Sequence, residues 1–336
     1  MKAIQFGQHG SPDVLQLVEL PKPQLKPGQV LIKVAAVGIN YADTMHRAGV
    51  YPQSAPLPMI PGTDVAGVIE QLGVDVTALD IGTRVVASLY PGASDGAYAE
   101  YVAVNVGRIV PLLDGVSFEA SLAMLGQGWT AYLLLTEAAK LQPGESVLVH
   151  AAAGGVGSLA VQLAKQLGAS QVIGLVGSPE KQALATELGC DHVFLSSDSH
   201  WVQNVNAVTQ KRGVNIILDS VGAPIVSENL QVLAPFGRFV FYGALSQQWT
   251  TLSSENALNL LFGNQALIGF AVPGFVESRP GYAEELTAKL LEYVRQGTLK
   301  VVTRDVFPLE QAAEAHRAIE ERRTVGKVLL SLIEKE

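Results

Sequence analysis

The spacing of hydrophobic positions changes near residue 118, and that change divides the chain. Before it, short apolar runs follow turn signals: 30–34 after Lys26-Pro27-Gly28, 65–69 after Pro61-Gly62, 84–87 after Ile81-Gly82, and 98–102 after Asp95-Gly96. Short strands punctuated in this way predict a β-rich part, either a partly open barrel or two packed sheets. From Phe118 on, Phe118, Leu122, Leu125, Trp129 and Leu133 recur at three and four residues, which predicts helix, broken at Gly126-Gln127-Gly128. Apolar runs then alternate with helical patterns. Strands are expected at 146–150, 171–176, 193–195, 216–218 and 238–242, with a helix after the first and another over 179–188. Such alternation implies an α/β fold with a mostly parallel, doubly wound sheet. The tail predicts a strand at 268–272, a helix over about 282–296, a strand-like pair Val301-Val302, a helix over 309–323 and a strand over 327–332. Its βαβ-like pattern is short and is expected to complete the N-terminal part.

One stretch, 146–168, reads SVLVHAAAGGVGSLAVQLAKQLG. A short apolar strand leads into Ala152, Gly154 and Gly157, the spacing of G-x-G-x-x-G with Ala in the first place, and a helical pattern follows. Small residues there let backbone approach a pyrophosphate, while the helix N-terminus offers free N–H groups and a partial positive charge. Ala152, Gly154, Gly155, Val156 and Gly157 are therefore candidate cofactor residues. The alternative is a glycine-rich loop that only packs a helix closely on a sheet.

Bulk properties narrow the function. The chain has 336 residues, 48% of them hydrophobic and 16% charged, enough for about two domains with large cores. A formal charge of −8 disfavours nucleic acid and anionic membrane as partners. The single cysteine, Cys190, excludes an intrachain disulfide and a Cys-rich zinc lobe. The first residues lack an apolar leader, and no run of about 18 apolar residues occurs; the expectation is a cytoplasmic protein without a membrane span.

The end of the second strand of the sheet bears on cofactor choice. An NAD-selective site offers an acidic side chain to the ribose 2′-hydroxyl there. This chain has Gly177, Ser178, Pro179, Glu180 and Lys181 instead. Gly177 leaves room, and Ser178, Lys181 and the following helix N-terminus suit a 2′-phosphate. NADP(H) is favoured over NAD(H); Glu180 carries the opposite sign there but has room to point away. Read otherwise, Ser178 is an N-cap and Lys181 a solvated charge. His150 and Cys190 read as structural.

AAAGGVG, GINYADTMHRAGVYP (38–52), PGTDVAGVIEQLG (61–73) and DSVG (219–222) together resemble the medium-chain dehydrogenase/reductase superfamily. Within it the chain most resembles the zinc-free quinone oxidoreductases, the zeta-crystallin-like group. The resemblance implies a β-rich GroES-like catalytic domain, 1–122 with 267–336, and a Rossmann NADP(H)-binding domain, 123–266. Zinc-dependent relatives carry Cys where this chain has Asn40 and Tyr41, and Gly-His-Glu where it has Gly62-Thr63-Asp64, so no metal is expected. Without a Lewis acid an alcohol oxygen stays protonated, and an electron-poor acceptor, a quinone or an α,β-unsaturated carbonyl, is the better substrate. Positioning and hydrogen-bond donors then do most of the catalysis.

The resemblance points to Asn40, Tyr41 and Asp43 near the substrate cleft and Tyr51 on its rim. Asn40 offers an amide to the substrate oxygen or the cofactor ribose, and the tyrosines offer hydroxyls and stacking faces. Asp43 is either a site residue or a helix cap. Thr130 resembles the threonine beside the nicotinamide. Phe241, Tyr242, Gly243, Ala244, Phe270 and Val272 resemble segments meeting the ribose and carboxamide. Arg322 matches a position that reaches the 2′-phosphate, and Ser196 stands where the family often has Tyr. Three functions follow: an NADPH-dependent quinone reductase; a reductase of 2-enals, 2-enones or enoyl thioesters; or an NADPH-binding structural or RNA-binding protein. Family members commonly form homodimers through the nucleotide domain, and the uncharged runs 239–242 and 268–272 are the candidate edges.

Overall fold

The computed structural model describes residues 1–52, 56–90, 96–223, 225–248 and 250–333. Contacts divide it into two compact units, Met1–Trp129 with Pro273–Glu336, and Thr130–Val272. The expected boundaries, 122/123 and 266/267, thus compare with 129/130 and 272/273.

The central unit is a six-stranded parallel sheet in the spatial order His192–Leu195, Gln171–Val176, Ser146–His150, Val214–Asp219, Leu233–Phe241, Ala266–Gly269. Numbered along the chain this is 3-2-1-4-5-6, the doubly wound order of dinucleotide-binding domains. The order reverses beside Ser146–His150, and the glycine turn leaves that strand. All five of its residues are buried, as are Val214 and Ile216 to Asp219 in the strand beside it. Continuous apolar runs, not alternating ones, are what a sheet covered on both faces requires.

The other unit is built on the long strand Gln29–Ile39. Asp64–Leu72 pairs along one edge of it, antiparallel. The opposite edge is shared: Tyr101–Asn105 pairs with its first half and the C-terminal strand Val328–Ser331 with its last residues. Val306–Pro308 pairs parallel to Val328–Ser331, with the helix Ala312–Glu320 between them in sequence. The tail is therefore a βαβ unit joined to the N-terminal sheet.

Several expected elements shift. Val301-Val302 is not a strand; Val306–Pro308 takes that role. The strand expected over 268–272 is Ala266–Gly269, and Val272 opens the helix Val272–Glu277. Leu233–Phe241 is paired on both sides, so the run 239–242 supplies no sheet edge; Ala266–Gly269 does. Gly126 and Gly128 do not break their helix but lie within Gly126–Leu133; the interruption comes earlier, after Phe118–Ala123. A Cβ on Gly128 would lie 3.0 Å from the Ala123 carbonyl oxygen and 3.1 Å from Leu290 Cδ1, so close packing explains that glycine. The helix expected from 179 is Glu180–Glu187, with Pro179 and not Ser178 at its N-cap.

Candidate functional site

In the central unit the expected cofactor residues gather at the carboxyl ends of neighbouring parallel strands. Ala152 to Gly157 follow Ser146–His150, Gly177, Ser178 and Lys181 follow Gln171–Val176, and Ser196 follows His192–Leu195. Phe241 to Ala244 end Leu233–Phe241, and Phe270 ends Ala266–Gly269, its N–H donating to the Phe241 carbonyl at 3.1 Å. Thr130 lies in Gly126–Leu133 and Val272 at the start of its own helix. In open α/β sheets this end carries the ligand.

The turn itself is shaped by what is missing. A Cβ on Gly157 would lie 2.2 Å from the Ala151 carbonyl oxygen and 2.9 Å from Ala152 Cα, whereas Gly154 has only one such contact under 3.4 Å, at 3.2 Å. Ala151 sits at φ +50° to make the bend. The first α-helical hydrogen bond runs from the Ser158 N–H to the Gly154 carbonyl at 2.9 Å, so the N–H groups of Gly155, Val156 and Gly157 precede the helix's own bonding. Ala in the first motif position is accommodated by Gly174 on the next strand, where a Cβ would come within 2.9 Å of the Ala152 Cβ. This cradle fits the pyrophosphate of a dinucleotide.

At the second strand's end, a Cβ on Gly177 would meet nothing within 4 Å. Glu180 does not point away. The Ser178 hydroxyl donates to its carboxylate, and with Glu180's own backbone N–H this holds that acid below its ordinary range. Lys181 is half-buried and its N–H donates to the Ser178 carbonyl at 3.2 Å. Ser196 is exposed, its N–H bonded to the Val176 carbonyl at 2.8 Å. Tyr242 is half-buried, and burial pushes its phenol up. His150 is buried against Asn229 Oδ1 at 2.8 Å. Burial pushes the Cys190 thiol up to about 12, leaving it inert.

In the other unit Asn40 ends the strand Gln29–Ile39 and precedes the helix Tyr41–Ala48. Its amide is engaged on both sides: Nδ2 donates to Asp64 Oδ2 at 2.7 Å, and Oδ1 accepts from Lys327 Nζ at 2.8 Å. Lys327 also donates to Asp64 Oδ2 at 3.1 Å, and the two side chains are 0% and 2% exposed. Tyr41, the first residue of the helix, is half-buried; burial first, then the Glu320 charge, raises its phenol, while Arg322 opposes them. Arg322 thus lies in this unit, at φ +59° after the helix Ala312–Glu320. The Tyr51 ring stacks on His46 with centroids 3.9 Å apart. Burial raises the Tyr51 phenol and lowers the His46 imidazole.

Asp43 turns inward. It is 2% exposed, and its Oδ2 accepts the Asn40 N–H at 2.8 Å, so it caps the helix from the third position. Burial, aided by Asp64, raises its carboxyl to about 7 against the pull of the Asn40 N–H, Lys327 and the Tyr98 hydroxyl. Tyr98 also meets His316 Nε2 at 2.9 Å.

Lys327, Asp64, Tyr98 and His316 were not among the expected site residues. Asp64 and Lys327 had one legible signal: each is a lone charge abutting an apolar run, and the two charges are opposite. The two frames in which zinc-dependent relatives carry ligands do meet, at Asn40, Thr63 and Asp64, but around an ammonium group. A buried cation opposes a second one at the same place. Among the described residues, no group of three or more His, Cys, Asp or Glu is placed to hold a metal, and no helix is long and apolar enough to cross a membrane.

Residues 26–114 match the alcohol dehydrogenase GroES-like domain, and residues 155–289 match the zinc-binding dehydrogenase family. The latter match includes neither Asn40 nor Thr63 and Asp64. Quinone oxidoreductase of Pseudomonas aeruginosa is 33% identical over 330 residues, covering 98% of this chain and 99% of the relative. A human synaptic vesicle membrane protein VAT-1 homolog is 33% identical, covering 98% and 86%. A 2-haloacrylate reductase from Burkholderia sp is 33% identical, covering 98% of each. Escherichia coli quinone oxidoreductase, solved in complex with NADPH, superposes with a TM-score of 0.89 at 31% identity, covering 98% of this chain and 100% of that one. With a dinucleotide-type sheet, a GroES-like partner unit and relatives aligned end to end, the chain belongs to the medium-chain dehydrogenase/reductase family, among the quinone oxidoreductases.

Proposed function

We propose that this enzyme is an NADPH-dependent oxidoreductase that reduces quinones. The observation that carries the reading is the glycine cradle at the switch point of a 3-2-1-4-5-6 sheet, in a chain whose likeness to an NADPH-bound quinone oxidoreductase is end to end. Ala152 to Gly157 would hold the pyrophosphate, and Gly177, Ser178, Lys181 and Ser196 the adenosine 2′-phosphate. Phe241 to Ala244, Phe270, Val272 and Thr130 would meet the nicotinamide half. When bound, the nicotinamide supplies a hydride. The protein's own part is to orient the acceptor, exclude water and donate hydrogen bonds to the oxygen that gains charge. Asn40 and Tyr41 are the donors for that oxygen, and the Tyr51–His46 stack offers a flat apolar face to a ring. Asp43 supports them from beneath as the cap of their helix.

Placing the 2′-phosphate requires Ser178 to exchange its bond with Glu180 for one to the phosphate. Lys181 offsets the acid's charge there. Lys181→Ala is therefore expected to weaken NADPH about tenfold or more and NADH less than threefold; equal losses would remove Lys181 from the phosphate. The relative named for 2-haloacrylate supports a second reading, in which the acceptor is an activated alkene. NADPH oxidation followed at 340 nm with 1,2-naphthoquinone and with 1-octen-3-one decides between them. Turnover of the enone alone would overturn the quinone reading, and turnover of neither would overturn both.

A second copy of the chain is the partner we propose. The edge strand Ala266–Gly269 follows in sequence the helix Ser254–Gly263, whose Leu261 and Phe262 are 67% and 80% exposed. An open edge with exposed apolar side chains suits continuation of the sheet into a twin; sedimentation as a monomer at micromolar concentration would count against it.

A further inference from the structure

We infer that Lys327 is a positioning residue, which sets the orientation of the Asn40 carboxamide and strengthens its remaining N–H as a donor. The inference rests on the reading above, in which that amide serves the acceptor oxygen.

The placement follows from strand register. Val328 pairs with Ile39, and Gly38 pairs with Asp64. Lys327, Asn40 and Asp64 therefore meet at one end of three adjacent strands, although Asn40 and Lys327 are 287 residues apart. The chemistry of the partners leaves one arrangement. An ammonium only donates, so the carboxamide oxygen must face Lys327; a carboxylate only accepts, so the nitrogen must face Asp64. Rotating the amide by half a turn would set N–H against ammonium and oxygen against carboxylate. Asp64 takes one of the two Nδ2 hydrogens at 2.7 Å. Thr63 Oγ1 accepts from Nδ2 at 3.5 Å, the outer limit of a hydrogen bond, so the second hydrogen is only weakly held and is the one a ligand oxygen would take. Pulling charge toward Oδ1, the ammonium makes that hydrogen a better donor.

The fold makes room for this lysine. A Cβ on Gly38 would lie 2.5 Å from Lys327 Cε and 2.9 Å from Nζ. Gly38 has no left-handed φ, so its lack of a side chain serves the lysine and not a turn. Across the amide, a Cβ on Gly126 would lie 3.4 Å from Asn40 Nδ2, so the carboxamide is closely walled. Because Lys327 is fully buried, it acts through Asn40 and not on a ligand directly.

The test is a double-mutant cycle. Lys327→Met is expected to lower kcat about 20-fold while leaving the NADPH Kd within about twofold, and to cost less than about threefold when Asn40 is already Ala. Gly38→Ala, which displaces the ammonium without removing it, is expected to lower kcat about fivefold, again only when Asn40 is present. Equal losses in the two backgrounds would overturn the inference, as would an unchanged kcat in Lys327→Met. If Lys327→Met does not fold, Asp64→Asn/Lys327→Met enters the same cycle with the charge pair removed together. A readout without turnover accompanies it. The Asn40 Nδ2 proton resonances, assigned as the pair missing from Asn40→Ala, are expected to lie away from free-amide positions and to move toward them in Lys327→Met. Resonances that do not move defeat the positioning role. A wild type that holds them displaced yet oxidises no NADPH defeats the functional reading instead.

Discussion

Gly157→Ala is expected to destabilise the protein by about 2–3 kcal/mol and to abolish saturable NADPH binding. The added Cβ would lie 2.2 Å from the Ala151 carbonyl oxygen, 2.9 Å from its carbon and 2.9 Å from Ala152 Cα. Every one of these is backbone, so no side chain can rotate away. Relief requires the turn to move off the helix, and that carries the N–H groups of Gly155 and Val156 away from the pyrophosphate position. Two companions separate the effects. Gly154→Ala meets only the Ala151 oxygen below 3.4 Å, at 3.2 Å, and is expected to be milder in both respects. Gly177→Ala enters open space and is expected to leave stability within about 0.5 kcal/mol, while crowding the adenosine end. Urea unfolding and NADPH fluorescence titration on the three variants read this order directly. A Gly157→Ala protein indistinguishable from wild type in both would show that the turn is not the rigid cradle described.

How much of this was legible in the sequence depends on whether the information was local. The parallel sheet was, because buried strands read as continuous apolar runs and the helices between them as a different period. The glycine turn was too, but the Ala in its first position was not explained. The space for Ala152 is provided by Gly174 on a neighbouring strand, a pairing set by sheet register. Apolarity also misled. The run 239–242 looked like an edge since it is uncharged, yet it is uncharged because Leu233–Phe241 is covered by a strand on each side. Composition reports burial and not which neighbour does the burying.

The candidate site divides in the same way. Asn40 and Tyr41 stood out in a motif. Their environment did not, because the C-terminal strand reaches them only through tertiary pairing with Gln29–Ile39. Glu180 is a smaller case: its exposure was foreseeable, but the Ser178 hydroxyl that draws it in is a matter of rotamer. Asp43 was left open between site residue and cap. The Asn40 N–H bond and its burial make it a cap whose charge is nonetheless consequential.

That charge supports the second large expectation, a stability that falls with pH through Asp43 and ceases to do so in Asp43→Asn. Burial, assisted by Asp64, raises the carboxyl from 3.8 to about 7 in the folded protein. The sign follows from proton counting. Between pH 3.8 and 7 the unfolded chain has released this proton and the folded chain has not, so folded protein binds more protons and stability declines as pH rises. Below that window both states are protonated, above it both are ionised, and the contribution is flat. From pH 4 to 8 the loss from this one group is about 2–4 kcal/mol. Asn in its place keeps an oxygen for the Asn40 N–H and carries no titrating proton. Tyr98 donates to Asp43, so His316 Nε2 is the nitrogen that donates to Tyr98, and the unpartnered His316 Nδ1 is the bare one. Burial lowers that imidazole to about 3, which keeps it neutral throughout the range. The difference in unfolding free energy between Asp43→Asn and wild type, measured in urea at pH 5, 6, 7 and 8, is therefore expected to shift steadily in favour of Asn until about pH 7 and then level off. Curves that run parallel over the whole range would mean that the buried carboxyl keeps an ordinary affinity for its proton, with Lys327 and the Asn40 N–H outweighing its desolvation.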